Sequence, residues 1–363
     1  MKLKPFLQGF GLFAVLLTLI PLAAADFWWI RMFDFPHIQL TILTFVAIVV
    51  YFIEFDIKWA EDYLFVTVLV MCFSFQMYKI FPYLPHGKHE VEQASENIDQ
   101  ADVLKFYAAN VLQKNTNPAL LIKEIEEKDP DILLLTETNT RWMNDVHDAV
   151  EKYPYRVEVP INNTYGMLLY SKFEMKNPQK RFLVDDSIPS IHTILVLRSG
   201  KEIMLHAIHP TPPMPQENPT STDRDAEMLM VAKMALERDL PTIVAGDFND
   251  VAWSASSTLF KDVSSLLDIR KGRGFYNSFN ATSFILKWPL DHFFVSEEFR
   301  LVEVKTGENI DSDHFPFFVS LSLEPEKAAD QKIEGPTKKQ LEKANKQIAE
   351  AKKEQKEKKA KGE

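Results

Sequence analysis

The chain has 363 residues, 46% apolar and 25% charged, enough for one large domain or two ordinary ones, and this balance excludes a globally disordered polypeptide. Its net charge of −10 is uneven: residues 101–325 carry 33 acidic against 23 basic side chains, a poor match for a protein that grips long nucleic acid through many phosphate contacts. A single cysteine, Cys72, excludes a disulfide framework and a cysteine-based zinc site within one chain.

The N-terminal residues 1–85 are dominated by three apolar stretches, at 6–24, 38–55 and 63–81. Each is close to the roughly 17–25 residues that a helix needs to cross a hydrocarbon core. Trp28, Trp29 and Tyr51 fall near their ends, where amphipathic rings favour the interface. The third run is the weakest, because Ser74, Gln76 and Lys79 place its last turn among headgroups. Lys2 and Lys4 ahead of an apolar core and Leu22-Ala23-Ala24-Ala25 also fit a secretory signal, but the two further apolar runs favour an uncleaved anchor. The same lysines favour a cytoplasmic N-terminus, and three crossings then put everything after residue 85 outside the cytoplasm. The expected setting is a multi-pass protein of the cell membrane, of the bacterial inner-membrane type, with the lipid bilayer as its partner.

After a linker at 86–100 the pattern changes. Short β-rich runs at 104–111, 132–136, 167–170, 193–197, 203–207, 242–245 and 291–295 alternate with helical periodicity at 117–127, 141–151 and 223–238. This alternation implies an α/β domain of layered sheets covered by helices over residues 101–325. Asn117-Pro118 suits a helix start, with Asn as the cap and Pro as the first helical residue. Residues 326–363 are rich in Lys, Glu, Ala and Gln. Leu341 and Ile348 alone do not sustain a heptad there, so a disordered tail or a solvated helix is expected.

Within 101–325, polar residues recur where apolar runs stop. One strand ends at Asn110 and another at Glu137, and a carboxylate ending a buried strand is costly unless it is paired or binds a cation. The stronger signal is Val244-Ala245-Gly246-Asp247-Phe248-Asn249, in which a tight glycine turn presents Asp247 and Asn249 two residues apart, on one side if the backbone stays extended. Such a pair can orient or deprotonate a water and donate to a charged phosphoryl oxygen. Leu290-Asp291-His292 and Ser312-Asp313-His314-Phe315-Pro316 add histidines that a carboxylate can hold as fixed donors.

These motifs, with Pro130-Asp131-Ile132 and His209-Pro210, resemble in order those of the endonuclease/exonuclease/phosphatase superfamily, of the deoxyribonuclease I-like kind, over roughly residues 101–323. The resemblance implies a four-layered α/β sandwich, two packed mixed sheets flanked by helices, here preceded by a bundle of about three transmembrane helices. It implies a Mg²⁺ site, with Mn²⁺ as an alternative, at Glu137 with Asn110 and Asp313 nearby. It implies that Asp247 activates the attacking water, that Asn249 binds a phosphate oxygen, that His314 oriented by Asp291 stabilises the transition state, and that His209 protonates the leaving oxygen. His209 has no evident acidic partner. Arg224, at a helix start, is a candidate contact for substrate phosphate. His206 and His292 read as packing residues on the opposite strand faces. The proline-rich segment after His209, with Met214 and the aromatic residues of 275–279, reads as a stiff rim for an apolar part of the substrate.

The expected function is therefore hydrolysis of a phosphodiester or phosphomonoester by in-line attack of water, on a lipid-attached, small-molecule or nucleic-acid substrate. A nuclease and a catalytically inactive membrane-tethered binding module are the alternatives. Transport is disfavoured, because the apolar runs carry no cluster of ionisable residues.

Overall fold

The apolar runs become helices because only intrahelical hydrogen bonds satisfy their backbone away from water. Helix α1 (Leu3–Leu19) continues as a tight turn to Ala23; short α2 (Trp28–Arg31) precedes α3 (His37–Tyr51); α4 (Ala60–Ile80) ends in a turn reaching Tyr83. The computed structural model describes residues 3–23 and 26–361; Met1, Lys2, Ala24 and Ala25, which enter the reading of the first apolar run, lie outside them.

Among the described residues two helices, Leu3–Ala23 and Ala60–Tyr83, are long and apolar enough to cross a membrane, and Trp28–Asp34 with His37–Tyr51 gives a third only as a pair bent by 69°. The run expected to be weakest is thus the longest candidate span. The second is the short one, interrupted at Pro36, whose ring cannot continue a helix through its own nitrogen. Gln76 does not face outward. It lies buried between the three helices, donating to Thr18 Oγ1 at 2.6 Å and Thr44 Oγ1 at 3.0 Å. At the far end Asp62 binds Lys4 Nζ at 2.6 Å and Tyr51 Oη at 2.8 Å.

Two six-stranded sheets follow. Their strands are β1 (Val103–Asn110), β2 (Ile132–Thr136), β3 (Tyr155–Val159), β4 (Met167–Ser171), β5 (Glu174–Arg181), β6 (Ser190–Val196), β7 (Glu202–Ile208), β8 (Thr242–Asp247), β9 (Leu267–Asp268), β10 (Asp291–Val295), β11 (Phe299–Thr306) and β12 (Phe317–Leu323). The orders are β11-β12-β1-β2-β4-β3 and β5-β6-β7-β8-β10-β9, mixed in direction, with β1–β2 and β7–β8 parallel. Their inner faces meet in one apolar core containing Phe106, Leu134, Leu169, Leu205, Ile243, Phe293 and Val319.

Helices α5 (Ala119–Lys128) and α6 (Thr140–Asp145) cover the outer face of the first sheet through Leu121, Ile125 and Trp142. Helices α7 (Thr222–Leu236), α8 (Ala255–Ser264) and α9 (Lys338–Lys361) cover the second. This is the four-layered sandwich that the resemblance implies. Asn117 does not cap α5: Pro118 occupies that position, and Asn117 Nδ2 donates instead to Asp311 Oδ2 at 2.7 Å.

Candidate active site

Four strand ends converge at one edge of the sandwich. In the antiparallel β8–β10 pair Asp247 stands directly opposite Asp291, so both carboxylates project from one face. Gly246, at φ +141°, is needed there because a Cβ would strike the Ile208 carbonyl of the adjoining parallel strand. The expected extended presentation of Asn249 does not occur. Asn249 takes φ +50°, and its N–H turns back to Asp247 Oδ1 at 2.9 Å while its Nδ2 donates to the Pro210 carbonyl at 3.0 Å. A turn, and not strand alternation, brings the two residues together.

The parallel β1–β2 pair brings Asn110 and Glu137 to the same edge. Asn110 Nδ2 donates to Glu137 Oε1 at 2.9 Å and to Asp247 Oδ2 at 3.1 Å, while Asn110 Oδ1 accepts from Leu112 N–H at 3.0 Å. The amide thus turns its nitrogen towards the carboxylates. Glu137, at φ +57°, accepts the Gln113 N–H on its other oxygen at 3.1 Å.

The two expected histidines flank Asp247. His314 Nε2 lies 3.6 Å from Asp247 Oδ2, and His209 Nε2 lies 3.7 Å from the same oxygen, with the Tyr165 ring tilted against the His209 ring at 5.2 Å. Asp247 is therefore the acidic neighbour that the sequence did not reveal for His209, whose Nδ1 is buried without a hydrogen-bond partner. His314 Nδ1 is bonded to Asp291 Oδ2 at 2.9 Å. Burial works against the imidazolium, but Asp247, Asp291 and Asp313 outweigh it and push the His314 pKa up to about 10. Burial pushes the Asp247 carboxyl up, against the pull of His314. For Asp291 burial opposes ionisation, and the charge and hydrogen bond of His314 overcome it, holding the carboxyl below its usual value.

Other predicted positions divide. Asp313 lies beside this group, with Oδ1 buried and lacking a hydrogen-bond partner; burial, and then the charge of Glu137, raise its pKa against His314. Arg224 is a correction: it is 1% exposed and turned inward. Its Nη2 meets Asp225 Oδ1 at 2.8 Å, and its Nη1 meets the Asn249 carbonyl at 2.9 Å and Asp250 Oδ1 at 3.4 Å, so it braces the Asp247–Asn249 turn from behind. His292 faces away from Asp291, bonded to Arg270 Nη2 at 2.6 Å and to the Asp250 carbonyl at 2.8 Å. His206 pairs with His192 at 2.7 Å.

Sequence reasoning missed three supports. Ser278 Oγ accepts the Asp291 N–H at 3.1 Å; Ser312 Oγ donates to the Asn110 carbonyl at 2.7 Å and accepts the His314 N–H at 3.1 Å; Tyr165 packs on His209. Ser312 sits inside the Ser-Asp-His run and so was in view. Ser278 and Tyr165 lie in loops with no periodicity to mark them.

Whether these residues suit a divalent cation follows from their charge. Glu137, Asp247, Asp291 and Asp313 bring four carboxylates to two imidazoles, and Asp313 Oδ1 has no hydrogen-bond donor. Hard oxygen donors in excess are what Mg²⁺ or Mn²⁺ binds. Asp247, Asp291 and His314 do offer one ligand atom each within 4.8 Å of one another. The Asp291–His314 bond already engages two members of that group, while Asp313 Oδ1 is unengaged, so the Glu137 and Asp313 side offers the freer oxygen donors.

A family model described as the Endonuclease/Exonuclease/phosphatase family matches residues 107–314. Among solved structures, humanized D. rerio TDP2 carrying 14 mutations is 15% identical with a TM-score of 0.53, covering 61% of this chain and 99% of that one. D. rerio TDP2 complexed with single strand DNA product is 15% identical with a TM-score of 0.52, covering 62% and 100%. A family protein from Bacteroides thetaiotaomicron is 19% identical with a TM-score of 0.48, covering 62% and 96%. At such identities the likeness is one of fold. No curated protein matches the chain.

Proposed function

Because this chain belongs to the endonuclease/exonuclease/phosphatase family, whose members are hydrolases of phosphoester bonds, we propose that it is a membrane-tethered, divalent-metal-dependent phosphoesterase using Asp247, Asn249, Asp291, His209 and His314. The observation that carries this reading is the position of Asp247 Oδ2, held by Asn110 and flanked by both imidazoles. A buried carboxylate with a raised pKa is a competent base for a water molecule aimed at phosphorus. His314, cationic near neutrality and fixed by Asp291, donates to a phosphoryl oxygen as charge builds there. His209 delivers a proton to the leaving oxygen, and Asn249 steadies a phosphate oxygen through its side chain.

Glu137, with Asp313 beside it, would hold Mg²⁺ or Mn²⁺, and Asn110, whose nitrogen faces Glu137 Oε1 and not the ion, would position that carboxylate, a correction to its expected place beside the metal. The ion, when bound, supplies charge neutralisation at the phosphate. Residues 1–85 would tether the sandwich of 101–325 to the bilayer, by way of the segment 86–100, in a multi-pass inner-membrane arrangement. The nuclease reading is weaker, because 33 acidic against 23 basic residues in 101–325 repel a polyanion.

The test is hydrolysis by the purified full chain in nanodiscs, offered vesicle phospholipid, soluble phosphomonoesters and single-stranded DNA, with Mg²⁺ or Mn²⁺ and with a chelator. Metal-dependent turnover that Asp247→Asn lowers by about 10³-fold or more is expected. Absence of turnover on every substrate, or an Asp247→Asn variant as active as the parent, would overturn the reading.

A further inference from the structure

The loop between β9 and β10 carries a feature that the chemistry leaves unused. Phe284 is 97% exposed, Ile285 70% and Leu286 49%, three consecutive large apolar side chains at a loop tip. Contiguous exposed apolar surface marks an interaction site. The loop is built and not slack: Thr282 N–H bonds Asn280 Oδ1 at 2.9 Å, and Leu286 N–H bonds Ser283 Oγ at 2.9 Å.

Its base belongs to the catalytic edge. Ala281 N–H donates to the Asp313 carbonyl at 2.7 Å, and the Phe279 ring lies 5.0 Å from that of His314. Its tip belongs to the helical bundle, since Gln39 Nε2 in the first turn of α3 donates to the Ile285 carbonyl at 2.9 Å. The same turn leads into the exposed apolar face of α3 at Ile42 and Phe45. Across the site, the loop after His209 is fastened to the segment joining α1 and α2: Trp28 N–H donates to the Pro219 carbonyl at 2.9 Å and Ser221 N–H to the Asp26 carbonyl at 2.8 Å. Phe27 and Trp29 are half-exposed beside that contact. Both loops flanking Asp247 are thus tied to the ends of the apolar helices, where aromatic residues favour the bilayer interface. Lys287 Nζ, 4.9 Å from the Phe315 ring, sets a cation at the base of the apolar tip, an arrangement suited to anionic headgroups.

We propose that residues 283–286 form a lip that dips into the bilayer beside the site, so that the phosphoester presented to Asp247 is one carried by a membrane lipid. The substrate class rests on the phosphoesterase reading; the lip does not.

Cys72 is the only cysteine in the chain, so in a Cys72→Ser background Phe284→Cys can carry an environment-sensitive fluorophore. Ser199→Cys, exposed in the turn between β6 and β7, is the reference. In nanodiscs of phosphatidylcholine and phosphatidylglycerol the label at 284 is expected to emit to the blue, to be quenched by spin labels shallow in the acyl chains, and to resist iodide several-fold better than the label at 199. Equal iodide quenching at both positions overturns the lip. So does a blue-shifted label that lipid spin labels leave bright, since that outcome assigns the patch to a second copy of the chain. With Phe284, Ile285 and Leu286 all changed to Ser, the ratio of turnover on vesicle phospholipid to turnover on its soluble short-chain analogue should fall roughly tenfold. An unchanged ratio removes the lipid presentation. If the parent hydrolyses neither substrate, the phosphoesterase reading falls and the labelling result alone decides the lip.

Discussion

Asp247 lies between two imidazoles, 3.7 Å from His209 and 3.6 Å from His314, and only His314 has a second carboxylate, Asp291, on its far nitrogen. That asymmetry separates their expected contributions. Asp291→Asn should keep the fold and substrate binding while lowering kcat by about 10²-fold, because the amide no longer holds His314 charged and oriented; a changed KM with unchanged kcat would contradict it. A second residue bears on stability. Glu227 in α7 ionises near 4.5 in an unfolded chain, but burial, and then Asp185 and Asp223, push it up to about 8 in the fold, and its Oε1 has no hydrogen-bond partner. Between those values the folded chain keeps a proton that the unfolded chain releases, so the favourable contribution is complete below about 4.5 and is lost as pH rises through about 8. Glu227→Gln should therefore raise the unfolding free energy near neutral and alkaline pH, by roughly 1–3 kcal/mol, and leave it little changed in acid, as read by urea unfolding across that range. The candidate site residues were legible because each stands next to a strand end or in a short Asp/His run. Arg224 was misread because its burial is decided by how α7 and α8 close over the Asp247 turn, which no local pattern records.

Among the elements, strands with continuous apolar runs were visible in the sequence, as for β2, Ile-Leu-Leu-Leu-Thr, buried along its whole length. Strand β5, Glu-Met-Lys-Asn-Pro-Gln-Lys-Arg, was not. It is an edge strand exposed almost throughout, and its place comes from pairing with β6 and not from burial. Helix α9 shows the same limit from the other side. Its composition is that of a solvated helix, yet Leu341, Ala344 and Ile348 pack into the apolar layer over α7 and α8, and Lys358 reaches Asp223 at 3.2 Å. Three widely spaced small or apolar residues are too thin a stripe to read without knowing the surface that receives them. If that packing holds α9 in place, Ile348→Ala should cost about 2 kcal/mol in denaturant unfolding and should bring faster proteolysis of the connection at 332–337; an unaltered cleavage rate would mean that the helix is held only by its surface charges.

Over the whole molecule, the helical bundle and the sandwich are joined by one apolar cluster and not by the linker alone. Ile80 and Tyr83 at the end of α4 pack with Val251, Ala252, Trp253 and Leu290, and Phe35, Phe279 and Trp288 close around them. Trp253 Nε1 donates to the Asp34 carbonyl at 2.8 Å, Tyr83 Oη to the Ala252 carbonyl at 2.8 Å, and the His37 ring lies 6.5 Å from that of Trp253. The start of α3 and the end of α4 therefore meet the sandwich, while Tyr51 at the end of α3 meets Asp62 and Gln8 at the opposite end of the bundle. Fifteen residues of α3 span about 22 Å, so the short helix still runs the length of the bundle, thickened at its bent start by α2. If α1, the bent α2–α3 pair and α4 each cross, the last of these passes, α4, separates the loop containing Lys58 from the sandwich. In a Cys72→Ser background, Glu326→Cys should react with a membrane-impermeant maleimide in intact cells and Lys58→Cys only after permeabilisation, as the N-terminal lysines imply. The reverse pattern would place the sandwich in the cytoplasm, either with three inverted passes or with α2 and α3 turning back without crossing. Equal labelling of both positions before permeabilisation would mean that α4 does not cross, because α4 alone lies between them.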